Sequence, residues 1–353
     1  MLTSLALNHY RLLGRSGLRV SPLALGTMTF GTDWGWGAEQ AEARRLFDVY
    51  VERGGNFIDT ANRYTEGSSE RFIGEFATGR RDRLVIATKY TLPMQPDNPN
   101  SGGNHRKSMV RSVEESLRRL NTDYIDLLYL HAWDATTPTE EIMRAMDDLV
   151  RAGKVLYLAV SDLPAWQAAR MQTLADLRGW SPLIGLQIEY SLLERTVERE
   201  LIPMAQELGL GVIPWSPLSG GILSGKYSRQ DLQVQEEENG TRRAMVRDKG
   251  MLTERNITIA ETVLTLARET DFSPSQVALA WTLRNPAVTA PIIGARTLAQ
   301  LEDNLGALEV RLTEEQWRRL DMASAIELGF PHDFLALQVT RDIMFGGLMI
   351  ERR

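Results

Sequence analysis

The sequence predicts a (β/α)8 barrel of the TIM type, with a β-hairpin ahead of it and a C-terminal extension behind it, on three observations. Apolar strand-like runs alternate with helix-like segments, the alternation recurs eight times, and three successive runs finish on ionisable residues. Strict alternation calls for a parallel sheet with helices outside it, and eight repeats call for closure. A doubly wound sheet is the competing architecture, but no G-x-G-x-x-G follows the first strand of the repeat.

Taken in order, Tyr10-Arg11-Leu12-Leu13 and Leu18-Arg19-Val20, joined through Gly14-Arg15-Ser16-Gly17, read as a hairpin over residues 9–20. Strands are expected near Leu23 to Thr27, Phe57 to Asp59, Leu84 to Lys89, Ile125 to His131, Val155 to Ser161, Ile184 to Glu189, Val212 to Trp215 and Pro291 to Ile293. Helices are expected over Gln40 to Arg53, Ser68 to Thr78, Lys107 to Leu120, Thr139 to Arg151, Pro164 to Leu177 and Val197 to Leu208. Ile257 to Glu269, Ser275 to Leu283 and a segment from Leu298 complete the set. Met109, Val113, Leu117 and Leu120 step by three or four and share one face. Thr139-Glu140-Glu141 places carboxylates in a first turn, and Gly153 follows the last one. Three segments lie outside the repeat: a Pro, Gly and Asn-rich loop over Pro93 to Arg106, a charged stretch over Ser228 to Gly250 expected as a flap, and a tail over Ile326 to Arg353 expected to fold back over the barrel. All 353 residues are expected to form a single domain.

Composition narrows the function. Forty Lys+Arg against 46 Asp+Glu leave a formal charge of -6, which gives no reason to seek nucleic acid or an anionic membrane. The absence of cysteine removes disulfides, thiolate metal ligation and a Cys nucleophile. No apolar run approaches the roughly 20 residues that span a bilayer, and the chain reads as soluble and cytoplasmic. Oligomeric state is left open.

Asp59, Tyr64, Lys89 and His131 sit at or just beyond consecutive strand ends, which in a parallel barrel face one mouth. Each alone has an ordinary reading as cap, packing residue, solvated cation or core histidine. Together they make an acid. A tyrosine with a pKa near about 10 donates poorly at neutral pH. An adjacent Lys89 ammonium, held by Asp59, is expected to lower that value, while His131 orients a carbonyl oxygen on which charge develops.

Asp-Thr-Ala followed by Tyr64, then Gly67-Ser68-Ser69-Glu70, Lys89 and His131, resembles the aldo-keto reductase superfamily, residue by residue at its Asp, Tyr, Lys and His tetrad. The branch it looks like includes bacterial carbonyl reductases and potassium channel β subunits. The resemblance implies a barrel without a Rossmann domain that carries hydride from NADPH to an aldehyde or ketone. It further implies that Ser161 and Gln187 hold the nicotinamide carboxamide and that Trp215 stacks beside the ring. Ser216, Pro217, Leu218, Gly220, Gly225 and Lys226 match the pyrophosphate loop. Ile293, Gly294 and Arg296, with Gln300, Asp303 and Asn304, match the adenosine phosphate site; amides at a helix start plus a guanidinium form an anion pocket on their own physics and favour NADPH over NADH. Asp162 stands where the family usually has Asn. A carboxylate accepts from the carboxamide NH2 but cannot donate to its oxygen; equally, Asp162 reads as an N-cap for the helix with Pro164 in its first turn.

Other readings stay beside this one. Gly220 to Lys226 meets most of a Walker pattern, but Tyr227 replaces the hydroxyl that reaches magnesium. Lys89 could form the Schiff base of a class I aldolase. A cofactor-binding regulatory protein of the β-subunit kind would keep the tetrad without turnover. A metal hydrolase needs more ligands than the four histidines supply, since His9, His105 and His332 lie away from the strand ends; no metal is expected. Phe30, Trp34, Trp36, Tyr90 and Trp133 fall in or beside strand-end loops and are expected to wall an apolar pocket for an aromatic or medium-chain aldehyde.

Overall fold

A computed structural model describes residues 6–233, 246–348 and 350. Two short antiparallel strands, β1 (Arg11–Leu12) and β2 (Arg19–Val20), form the N-terminal hairpin. Eight parallel strands follow: β3 (Ala24–Gly26), β4 (Phe57–Asp59), β5 (Val85–Tyr90), β6 (Ile125–Leu130), β7 (Val155–Ser161), β8 (Leu183–Glu189), β9 (Gly211–Trp215) and β10 (Ile292–Gly294). They pair in chain order, with β10 beside β3. Strands covered on both faces need near-continuous apolar sequence, and β5 and β6 are buried at every residue.

Closure between β9 and β10 differs from the other seams. No ladder joins the two strands. Instead the Val212 amide donates to Ala287 O at 3.0 Å and the Thr289 amide donates to Val212 O at 2.8 Å, so the segment entering β10 completes the ring. Inside the ring Phe57, Ala87, Leu127, Tyr129, Ala159 and Ile213 pack together, and Leu13 and Val20 of the hairpin join them. Gly14 makes that approach feasible: its φ is +53°, and a Cβ there would lie 2.2 Å from Ile184 O. The Arg11 guanidinium fastens the hairpin by donating to Val288 O and Thr289 O, both at 3.1 Å.

The outer helices bury one side each, as the helix Gln40–Glu52 does through Ala43, Leu46, Phe47 and Tyr50. The segment expected as one helix from Val197 is a 3-10 turn at Thr196–Glu198 and then a helix, Leu201–Leu208. Pro203 explains the break, because proline is tolerated only in a first helical turn. The charged stretch expected as a flap lies partly outside the described residues; its described part includes a 3-10 turn, Arg229–Leu232. The tail departs from expectation: its helices, His332–Ala336 and Gln338–Phe345, leave most of their apolar side chains exposed instead of burying them on the barrel. Among the described residues no helix is long and apolar enough to cross a membrane.

Candidate active site

Strand ends put the four tetrad side chains in one place. Asp59 ends β4, Lys89 lies near the end of β5, His131 follows β6, and Tyr64 opens a 3-10 turn, Tyr64–Gly67. That turn is unusual, since Thr65 and Glu66 both adopt left-handed backbone with φ of 46° and 52°. The Thr65 hydroxyl holds it by donating to Phe30 O at 2.6 Å and accepting from the Ser69 amide at 3.1 Å.

Lys89 is fully buried, and its three ammonium protons are all used. Nζ lies 2.6 Å from Asp59 Oδ1, 2.9 Å from Thr60 O and 3.1 Å from the Tyr64 hydroxyl. The second oxygen of Asp59 accepts from Gln187 Nε2 at 2.8 Å. Burial works against the ammonium, yet Asp59 and then Tyr64 overcome it, and the Lys89 pKa is raised. Tyr64 corrects an expectation: burial disfavours phenolate by more than Lys89 favours it, so its pKa is raised, not lowered. Burial, with help from Lys89, pushes His131 down to about 3, which leaves a neutral imidazole at pH 7. Its ring meets Tyr64 edge-on at 6.1 Å, and Nδ1 has no hydrogen-bond partner.

Beside the tetrad, Ser161 of β7 and Gln187 of β8 are paired in register, and Ser161 Oγ is buried without a hydrogen-bond partner. Trp215 ends β9 across from Glu189 of β8. Its indole N–H donates to Asp162 Oδ1 at 3.0 Å, a partner neither reading of Asp162 foresaw. It caps no helix: Pro164 is the N-cap residue of Ala165–Arg178, without a side-chain bond, and Asp162 has a φ of +47°. A cavity of about 450 Å³ opens here, lined by Trp215, Ser216, Ser219, Gly220, Glu189 and Lys249 among others. Ser216, Ser219, Gly220, Gly221 and Gly225 are left-handed, the kind of backbone that gathers amides into an anion-binding concavity. Pro217 is buried within this turn, Leu218 is half-buried, and Lys226 is exposed just beyond it.

At β10, Ile293 is buried and Arg296 is exposed; among the described residues the Arg296 guanidinium makes no hydrogen bond or ion pair. The helix Leu298–Leu305 starts here, capped by Thr297. Gln300 accepts from the Arg296 amide at 2.9 Å, Asn304 donates to Gly294 O at 3.2 Å, and Asp303 accepts from Gln276 at 3.1 Å. Gln300 and Asn304 therefore brace the loop, and Asp303 ties its helix to the helix Pro274–Arg284. An unpartnered hydroxyl beside an anchored indole, a left-handed turn and an unpaired guanidinium at a helix start fit a nicotinamide dinucleotide.

Of the expected aromatic wall, Trp34, Trp36 and Trp133 are only partly covered, whereas Phe30 and Tyr90 are fully buried in the core. Phe30 packs on Phe76 and the Tyr90 hydroxyl reaches Asn104 O, so packing claims both rings. Trp34 and Trp36 lie 5.7 Å apart, and Trp133 meets Trp166 edge-on at 5.3 Å. Trp34 donates to Glu66 at 3.0 Å, and Glu66 also pairs with Arg63. Sequence reasoning missed Trp166, Glu66, Ser219 and Glu189. Only Glu189 carried a signal, two positions beyond Gln187 and so on the same face of β8. Among the described residues no group of three or more His, Asp or Glu side chains is arranged to hold a metal ion.

A family description, aldo/keto reductase family, matches residues 22–325 of this sequence. The chain belongs to the aldo/keto reductase family. This reductase is 39% identical over 340 residues to norsolorinic acid reductase of Aspergillus flavus, covering 93% of this chain and 84% of that protein. It is 42% identical to the uncharacterized oxidoreductase YrpG of Bacillus subtilis, covering 89% and 95%. It is 37% identical to aryl-alcohol dehydrogenase [NADP(+)] of Phanerodontia chrysosporium, covering 92% and 88%. Family and relatives support an oxidoreductase.

Proposed function

We propose that this aldo/keto reductase reduces an aldehyde or ketone to the alcohol with NADPH, and that Tyr64 is the general acid. The observation that carries the reading is the Lys89 ammonium, set 2.6 Å from Asp59 and 3.1 Å from the Tyr64 hydroxyl. Bound NADPH supplies the hydride for the carbonyl carbon, and the proton for the oxygen has to come from the protein. Tyr64 gives it. As the phenol loses its proton, the nearby ammonium stabilises the phenolate, and Asp59 keeps that ammonium from turning away. Neutral His131 orients the carbonyl oxygen beside Tyr64 without competing as an acid. Ser161 and Gln187 would hold the carboxamide, and Asp162 fixes the indole of Trp215, which would offer its face to the nicotinamide. The turn over Ser216 to Lys226 would bind the pyrophosphate and Arg296, with the amides at the start of the helix Leu298–Leu305, the adenosine phosphate, while Gln300, Asp303 and Asn304 hold that site in place.

The two indole pairs, Trp34 with Trp36 and Trp133 with Trp166, favour a flat aromatic carbonyl compound. The names of the relatives, an aryl-alcohol dehydrogenase and a norsolorinic acid reductase, agree with that class. The aldolase reading is weakened, because a Schiff base needs neutral amine and Lys89 is held as an ammonium.

Tyr64→Phe is the test. Its kcat for aromatic aldehydes, followed by NADPH absorbance, is expected to fall by at least about 100-fold, the lower end for a lost general acid. Quenching of tryptophan fluorescence by NADPH is expected to persist. Near-normal turnover rejects the assignment of Tyr64, and absence of turnover in the unsubstituted protein over a broad carbonyl panel favours the regulatory alternative.

A further inference from the structure

Eleven of the eighteen large apolar side chains that stand exposed among the described residues fall within positions 328–350. Phe330 is 85% exposed, Ile343 78% and Leu348 73%. On the helix Gln338–Phe345, Gln338, Arg341 and Asp342 share one side with Phe345, and Gln338 donates there to Asp342 at 2.7 Å; Val339, Ile343 and Met344 lie on the other side, flanking Thr340, which is buried. Only Thr340 of this helix is buried, while Val339, Ile343, Met344 and Phe345 stay exposed, more apolar side chains than a short helix ordinarily leaves to water.

The root of the segment is well fixed, so the exposure begins beyond it. Arg195 donates to Asp321 O and Ser324 Oγ, both at 2.9 Å, Arg199 donates to Glu327 O at 2.8 Å, and His332 lies 3.0 Å from Glu200. These contacts place the start of the segment on the side of the barrel where the loop after β8 runs.

We propose that residues 328–348 are a docking arm that buries its apolar side against a second copy of this chain. Area is the first argument. The ten exposed apolar side chains of 328–348, three of them phenylalanines, are on average somewhat more than half exposed, so summed over all its sides the arm shows apolar surface on the order of 1,000 Å². That exceeds the roughly 300–600 Å² patch a soluble monomer carries, and it meets the about 800 Å² that each partner gives to a standard interface. Charge is the second. Between 328 and 348 the charged residues are Asp333, Arg341 and Asp342, with His332, so two arms meet without marked repulsion. A lipid surface fits less well, because a helix lying on anionic lipid needs a polar side rich in Lys and Arg, and here Arg341 sits beside Asp342. Closed twofold pairs are also the commonest way a soluble chain covers such a patch.

Sedimentation velocity on the full chain tests the arm. The expected mass is about twice the 39.7 kDa of one chain, falling on dilution, and the pair Val339→Glu with Ile343→Glu is expected to run at single-chain mass with an unchanged far-UV spectrum. Because the sequence has no cysteine, Ile343→Cys supplies one reporter thiol, whose labelling is expected to slow by about tenfold from dilute to concentrated protein. This reporter decides the matter should the glutamate pair misfold. Single-chain mass at every concentration overturns the proposal, as does a glutamate pair that still dimerises. A thiol equally protected at all dilutions places the arm on its own barrel, and a single-chain protein that pellets with phosphatidylglycerol vesicles assigns it to lipid; both outcomes also overturn it.

Discussion

Lys89 has three protons to give, and the fold surrounds it with a carboxylate, a carbonyl and a phenol that take them. A buried ammonium so satisfied does not change charge near neutral pH, so the ionisable groups that respond there are others. Glu189 is one. Burial, with Glu194 adding to it, lifts this carboxyl to about 7; Lys249 offsets part of the shift and Asp162 adds a little. In an unfolded chain a glutamate ionises near about 4.3. The folded state therefore holds this proton more tightly, and the stability it contributes is present at low pH and lost as pH rises through about 7. Glu189 shares its cavity with Trp215, Ser216 and Gly220, where the pyrophosphate is proposed to lie. NADPH is accordingly expected to bind more weakly as pH rises from about 6 to about 8, and Glu189→Gln to flatten that slope. Fluorescence titration at each pH measures it, and an unaltered slope in the variant separates Glu189 from the cofactor. The same scale marks where sequence reading fell short. Asp162 ahead of Pro164 has the look of a cap, and its partner Trp215 is brought over from another strand end 53 positions away. Phe30 and Tyr90 were indistinguishable from the tryptophans near them, because only packing decides which aromatic of a loop turns inward.

Elements were more legible than side chains. β5 and β6, buried at every position, announce themselves through the apolar runs Val85 to Ala87 and Leu127 to Leu130, and the helix Thr139–Arg151 begins and ends where its acidic first turn and Gly153 place it. The helix after β8 was less so, since its apolar period ran through Pro203 and concealed a late start at Leu201. β10 and the helix behind it, Leu298–Leu305, were legible in order though not in bracing: Gln300 and Asn304 spend their side chains on the protein's own loop, and Asp303 on Gln276 of a neighbouring helix. That leaves Arg296 as the group free to meet a phosphate. Arg296→Ala is expected to weaken NADPH about tenfold or more while changing NADH little, since a charged hydrogen bond contributes about 1.5–3 kcal/mol. Parallel titrations of the two cofactors check this, and equal losses would move the phosphate elsewhere.

At the scale of the whole molecule, alternation of strand and helix carried the fold, because eight repeats have few ways to close. The reactive groups gather at one end of the barrel and the hairpin seals the other, which separates what catalyses from what stabilises. Gly14→Ala tests that separation. A Cβ at this left-handed position would press on two carbonyls, Ile184 O at 2.2 Å and Gly209 O at 2.6 Å. Stability to urea is expected to drop by about 2 kcal/mol or more, with kcat of the remaining folded protein unchanged. Loss of kcat without loss of stability would show the floor and the mouth to be coupled.

The join between β9 and β10, where the ring is completed by the approach to β10 and not by a ladder, has a further consequence. The turn over Ser216 to Lys226 departs from one stave of that join and the Arg296 loop from the other. A dinucleotide gripping both would act as a hoop across that join, so holding the coenzyme and holding the cylinder shut become a single event.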